Sequence, residues 1–168
     1  KTALFNSLTG SNQSVGNWPG VTVEKQEGQF KLDNHTIRVV DLPGIYALFA
    51  NSEDERAALD YLLKGEADLV VNILDATNLE RNLFLTSQLM EKGVPMVLAV
   101  NMMDIAASRG IHVDLHKLEE ILGVTAIGLT AVSPKSCEGF VNDLHKLLHN
   151  SRELPLPKAV KHSEVLEK

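Results

Sequence analysis

An α/β fold is what the sequence predicts: a mostly parallel sheet with helices on both faces and an antiparallel edge strand. Three observations predict it. Short apolar runs alternate with amphipathic segments along the chain. The runs 35–41, 67–76, 94–101 and 124–132 are too continuously apolar for strands with one wet face, so they read as central strands. The stretch 21–32 alternates instead and meets the next run through Asp33-Asn34, which suits an antiparallel edge hairpin.

The helices follow in order. Leu4, Phe5 and Leu8 share a face and Gly10 follows as a C-cap, so the first ten residues read as a helix. Segments 53–64, 78–92, 114–122 and 139–149 read as helices, with Asn78, Asp114 and Glu138 near their starts. Residues 1–150 form one domain in this reading. The Pro-punctuated "ELPLPK" then makes a linker, and 151–168 carry it into the beginning of a further helical domain.

Composition narrows the function classes. The 168 residues are 44% hydrophobic and 23% charged with a formal net charge of −6, which argues against broad contact with nucleic acid or anionic lipid. One cysteine, Cys137, excludes a disulfide framework, and it reads most simply as a surface thiol. No apolar run approaches the roughly 20 residues that cross a bilayer. The six histidines show no ligand spacing; His145 and His149 stand i, i+4 with no third donor near them in sequence.

In doubly wound sheets ligands sit beyond the carboxyl ends of the strands, so polar residues there carry the chemistry. "DLPG", Asp41-Leu42-Pro43-Gly44, ends one run. Its aspartate can hold Mg²⁺ through water, and the Gly44 N–H can approach a terminal phosphate because no Cβ intervenes. Alone it is also an ordinary turn. "NMMD", Asn101-Met102-Met103-Asp104, ends another. Asp104 can accept from the N1–H and exocyclic amine of guanine, a pair adenine lacks, while Asn101 braces the loop and contacts the base edge. The plain alternative is a strand-end Asn and a helix-cap Asp. "TAV", Thr130-Ala131-Val132, offers a backbone N–H such as that of Ala131 to the guanine carbonyl.

Before the hairpin lies "VGNWPGVTVE" (15–24), where two glycines and a proline set a defined but movable loop with Gly20, Val21, Thr22, Val23 and Glu24 as its nucleotide-facing part. Thr22 places a hydroxyl where a second Mg²⁺ ligand is needed, and metal binding only in the presence of a γ-phosphate makes an order–disorder switch. Trp18 reads either as a loop anchor or as a functional contact. Lys1-Thr2 at a helix start match the tail of G-x-x-x-x-G-K-[ST], whose glycines and preceding strand would lie upstream. Lys1 would neutralise the β and γ phosphates, Thr2 would ligate Mg²⁺, and the helix N-terminus would add its dipole. Each signal is weak alone. Lys-Thr, loop Thr, Asp-x-x-Gly, Asn-x-x-Asp and Thr-Ala follow one another as a P-loop GTPase of the Ras-like class requires.

The stretches "VGNWPGVTVE", "DLPGIYAL", "DATNLERNL" and "NMMDIA" closely resemble the cytosolic G domain of the bacterial ferrous iron transport protein B family, FeoB, from Lys1 to about Leu148. The resemblance implies a GTP-binding and slowly hydrolysing regulatory domain at the cytoplasmic face of the inner membrane. Its partners there are GTP and GDP, the transporter's own helical and membrane-embedded domains, and no nucleic acid; oligomerisation stays open. Met102 stands where most such proteins carry Lys, and Ile45 where Ras-like proteins carry a water-orienting Gln. The family's implied answer is that switch backbone around Thr22 and Gly44 positions the water. A K⁺ ion, held by switch-I carbonyls and an Asn that would precede Lys1, would stabilise transition-state charge. Two other readings stand beside this one: a nucleotide-sensing interaction module with incidental hydrolysis, and a ribosome- or RNA-associated GTPase, which the acidic balance disfavours. Asp75 reads as the closure of a turn before Asn78.

Overall fold

The computed structural model describes residues 1–10, 12–48, 50 and 52–150, and the expected linker and helical beginning at 151–168 lie outside them. In chain order the elements are α1 (Thr2–Thr9), β1 (Gln13–Asn17), β2 (Glu24–Leu32), β3 (His35–Asp41), α2 (Glu53–Leu63), β4 (Val70–Asp75), α3 (Leu79–Glu91), β5 (Met96–Asn101), α4 (Met103–Ser108), α5 (Leu115–Leu122), β6 (Ala126–Gly128) and α6 (Pro134–Asn150). Among the described residues they form two three-stranded sheets, antiparallel β1-β2-β3 and parallel β4-β5-β6.

Strand β5 shows why helices cover both faces of the parallel sheet. Its side chains alternate. Met96, Leu98 and Val100 enter one core with Leu85 and Leu89 of α3, while Val97 and Ala99 enter the other with Leu4 of α1 and Phe140 and Leu144 of α6. All five are fully buried, as a strand between two helical layers must be.

The antiparallel part is larger than a single edge strand. Residues 13–17 pair with 24–28, so 15–17, the first three residues of the expected loop, belong to strand β1. β3, expected to be central, bonds to β2 and is separated from β4 by a cavity of about 520 Å³ lined by Leu4, Leu8, Val39, Val71 and Ile73 among others. Asp33, at the hairpin tip, takes φ 51°, which its short polar side chain tolerates.

Further differences have local causes. α6 begins at Pro134, not 139: Ser133 Oγ accepts from the Ser136 N–H at 3.4 Å, and a proline in the first helical position loses no bond. Cys137 then falls on the inward face with Phe140 and Leu144 and is 1% exposed, so it is a core thiol rather than a surface one. α4 starts at Met103 with Met102 in the cap position, so Asp104 lies inside its first turn rather than at the cap, and the strand expected over 124–132 narrows to Ala126–Gly128. Among the described residues no helix is long and apolar enough to cross a membrane.

Candidate functional site

The carboxyl end of β3 and the N-terminus of α1 meet. Lys1 Nζ lies 3.0 Å from Asp41 Oδ1 and also donates to the Leu42 carbonyl. The Asp41 side chain is only 14% exposed, so its charge is better shielded from water than a surface carboxylate. Thr2 follows on the exposed first turn, beside the free N–H groups of a helix start. At Gly44 an added Cβ would meet nothing within 4 Å, leaving room on its open side.

The turn carrying Thr22 projects from the same end of the antiparallel sheet, since Gln26 pairs with both Val15 and Asp41 and the chain runs past them to 18–23. Trp18-Pro19-Gly20-Val21 is a tight turn: the Val21 N–H donates to the Trp18 carbonyl at 3.3 Å, proline occupies the second position, and Gly20 takes φ 79° in the third. The Trp18 N–H donates to the Val23 carbonyl at 2.9 Å and closes the hairpin. Thr22 and Glu24 are exposed, with Val21 and Val23 partly so. Among the described residues no hydrogen bond links Thr22 to Lys1 or Asp41.

Trp18 is buried as a loop anchor. Its ring meets Tyr61 of α2 edge to face at 5.2 Å, and Lys25 Nζ stands 4.7 Å from the indole centroid. Glu27 accepts an ion pair from Lys25 at 2.6 Å. The stretch after Gly44 is held on α3: Gln88 Oε1 accepts the Leu48 N–H at 2.8 Å, and Arg81 lies over the Tyr46 ring at 4.5 Å. Ile45 packs against the core.

A second cluster forms beyond β5 and β6. Asn101 ends β5, Met102 turns the chain with φ 63°, and Asp104 lies in the first turn of α4. Asn101 Oδ1 accepts the Ala131 N–H at 2.9 Å, so the group expected to face a guanine carbonyl is engaged within the protein. Thr130 Oγ1 stands 3.4 Å from Asp104 Oδ1. The two methionines part company: Met102 is exposed, while Met103 packs into the core. Val132 is exposed. Asp75 Oδ1 accepts from the Thr77 N–H and hydroxyl at 2.8 and 2.7 Å, closing the turn before α3.

Sequence reasoning missed the supports of these clusters: Tyr61, Lys25, Arg81, Gln88, Ser136 and Cys137. Only Ser133-Pro134 carried a signal, as a helix-start pair. His149 Nδ1 pairs with the Asp33 carboxylate at 2.8 Å, a partner distant in sequence, whereas His145 stacks on Phe30. Among the described residues no three His, Cys, Asp or Glu gather as a metal-holding group.

The family model described as ferrous iron transport protein B matches residues 1–144. The Fe(2+) transporter FeoB of Legionella pneumophila strain Lens is 54% identical over 135 residues, covering 78% of this chain and 18% of the relative. That of Escherichia coli K12 is 49% identical over 142 residues, covering 82% and 18%. The chain thus spans about a fifth of the length of the curated relatives it matches. Among solved structures, the cytosolic domain of L. pneumophila FeoB superimposes with a TM-score of 0.84 at 48% identity, covering 96% of this chain and 67% of that one. The cytosolic domain of the T. maritima FeoB iron transporter in its GMPPNP form gives 0.81 at 39% identity, covering 91% and 60%.

Proposed function

The chain belongs to the FeoB family, and we propose from that premise that it is the nucleotide-binding G domain of a ferrous iron transporter, cycling between GTP and GDP at the cytoplasmic face of the inner membrane. The observation that carries the reading is the Lys1–Asp41 pair, 3.0 Å long, which joins a helix N-terminus to the Asp-x-x-Gly strand end. Solved relatives hold GDP and GMPPNP, both guanine nucleotides.

In this reading Lys1 meets the β and γ phosphates and the Gly44 N–H faces the γ-phosphate. Asp104 selects guanine, Asn101 and Ala131 brace the base edge, and exposed Met102 covers it. The donors near Lys1 fit Mg²⁺: the Thr2 and Thr22 hydroxyls and the Asp41 carboxylate are hard oxygens, and Mg²⁺ keeps waters and phosphate oxygens as its remaining ligands. When bound, the ion would neutralise charge on the phosphates. Ile45 offers no group to orient water, so hydrolysis is slow. K⁺, held partly by backbone carbonyls of the 18–23 turn, would stabilise the charge that develops in the transition state.

Calorimetric titration of the full chain with GDP, GTP and ATP tests the base reading. Guanine nucleotides are expected to bind and ATP not, and Asp104→Asn should redirect preference toward xanthine nucleotides by about tenfold or more. Unchanged guanine selectivity in that variant would remove the assigned role. The apolar packing of Ile45 favours a second reading, a nucleotide sensor with incidental hydrolysis. Single-turnover hydrolysis in K⁺ against Na⁺ separates the two, since no turnover and no K⁺ stimulation would leave the sensor.

A further inference from the structure

The loop Thr130–Val132 is tied to the first turn of α6 by side chains outside every signature stretch of the sequence. Ser136 Oγ accepts the Thr130 N–H at 2.8 Å. Cys137 Sγ donates to the Ala131 carbonyl at 3.4 Å, within reach of a weak thiol bond. The Ser133 N–H returns to the Thr130 carbonyl at 2.8 Å. The Ala131 peptide is therefore gripped from both sides, by Asn101 at its N–H and by Cys137 at its carbonyl. Ser136 is partly buried and Cys137 fully so, which strengthens both bonds relative to water-exposed ones.

We propose that Ser136, seconded by Cys137, is a positioning clamp that sets how long the loop holds a guanine base and hence how fast nucleotide leaves. The proposal rests on the guanine reading above and assigns control of release to α6. Neither side chain touches the base in that reading: Ser136 fixes Thr130, whose hydroxyl reaches Asp104, and Cys137 fixes Ala131, which braces the base edge. A loop fixed before the ligand arrives loses less conformational freedom on binding, so loosening it speeds release.

Release of mant-labelled GDP from the full chain, followed by chase with unlabelled GDP, tests the clamp. Ser136→Ala is expected to release about fivefold faster, the scale of one lost neutral hydrogen bond. Ser136→Thr, which keeps the acceptor, should restore the original rate. Cys137→Ala should release about twofold faster and Cys137→Ser should not, because the hydroxyl still donates. Single-turnover hydrolysis of bound GTP should move less than release does, a split that general loss of stability would not produce. Unchanged or slower release in both Ser136→Ala and Cys137→Ala overturns the clamp. Asp104→Asn run in parallel keeps the two ideas apart: intact guanine preference there refutes the base reading itself, whatever Ser136 does.

Discussion

The two ends of the candidate site are held by different physics. At the base end, Asn101, Asp104, Ser136 and Cys137 reach one short loop through directional bonds of 2.8 to 3.4 Å from three separate elements. At the phosphate end, the turn carrying Thr22 is held by its own hairpin and by one buried indole against Tyr61 and Lys25. Hydrogen bonds lose strength steeply with misalignment, so the base loop has one geometry. Apolar contact is non-directional, so the indole fixes the turn on α2 less sharply than those bonds fix the base loop. In the proposed reading the difference suits a site that recognises a base constantly and senses a γ-phosphate conditionally.

Substitutions at the two ends sharpen that contrast. The largest effect is expected at the phosphate end, where Trp18→Ala removes a ring that is 4% exposed and should cost about 3 kcal/mol in urea unfolding. A loss below about 1 kcal/mol would mean that the turn already opens locally before the fold does. Gly28→Ala comes next. A Cβ there would stand 2.3 Å from Thr9 Cγ2, so α1 must move off β2, and about 2 kcal/mol should be lost with Lys1 displaced from Asp41. An unchanged melting temperature would show that α1 is not seated by that contact. The smallest effect belongs to the base end. Met102→Gly relieves a φ of 63° and should raise stability by about 0.5 kcal/mol, while a comparable loss would show that the thioether packs on the protein.

What was legible of the candidate site lies in contiguous stretches. Asp41-Leu42-Pro43-Gly44 and Asn101-Met102-Met103-Asp104 each stand at the end of an apolar run, where a window of a few residues exposes them. The hairpin at Asp33-Asn34 was legible for the same reason, since a turn is written in adjacent residues. Cys137 was misread because its burial depends on where α6 starts, five residues earlier than periodicity alone indicates. The Trp18 alternatives stayed open until Tyr61, on another element, closed one of them.

By itself the sequence determined the alternation of strands and helices, the order of the signature stretches and the family, all of which follow from side-chain period and adjacent chemistry. Tertiary structure alone decided that residues 13–17 join the antiparallel sheet, that Lys1 reaches Asp41, and that Ser136 grips Thr130. Those partners are chosen by packing across elements, and burial, distance and bond direction between distant segments are not encoded in any one window of the chain.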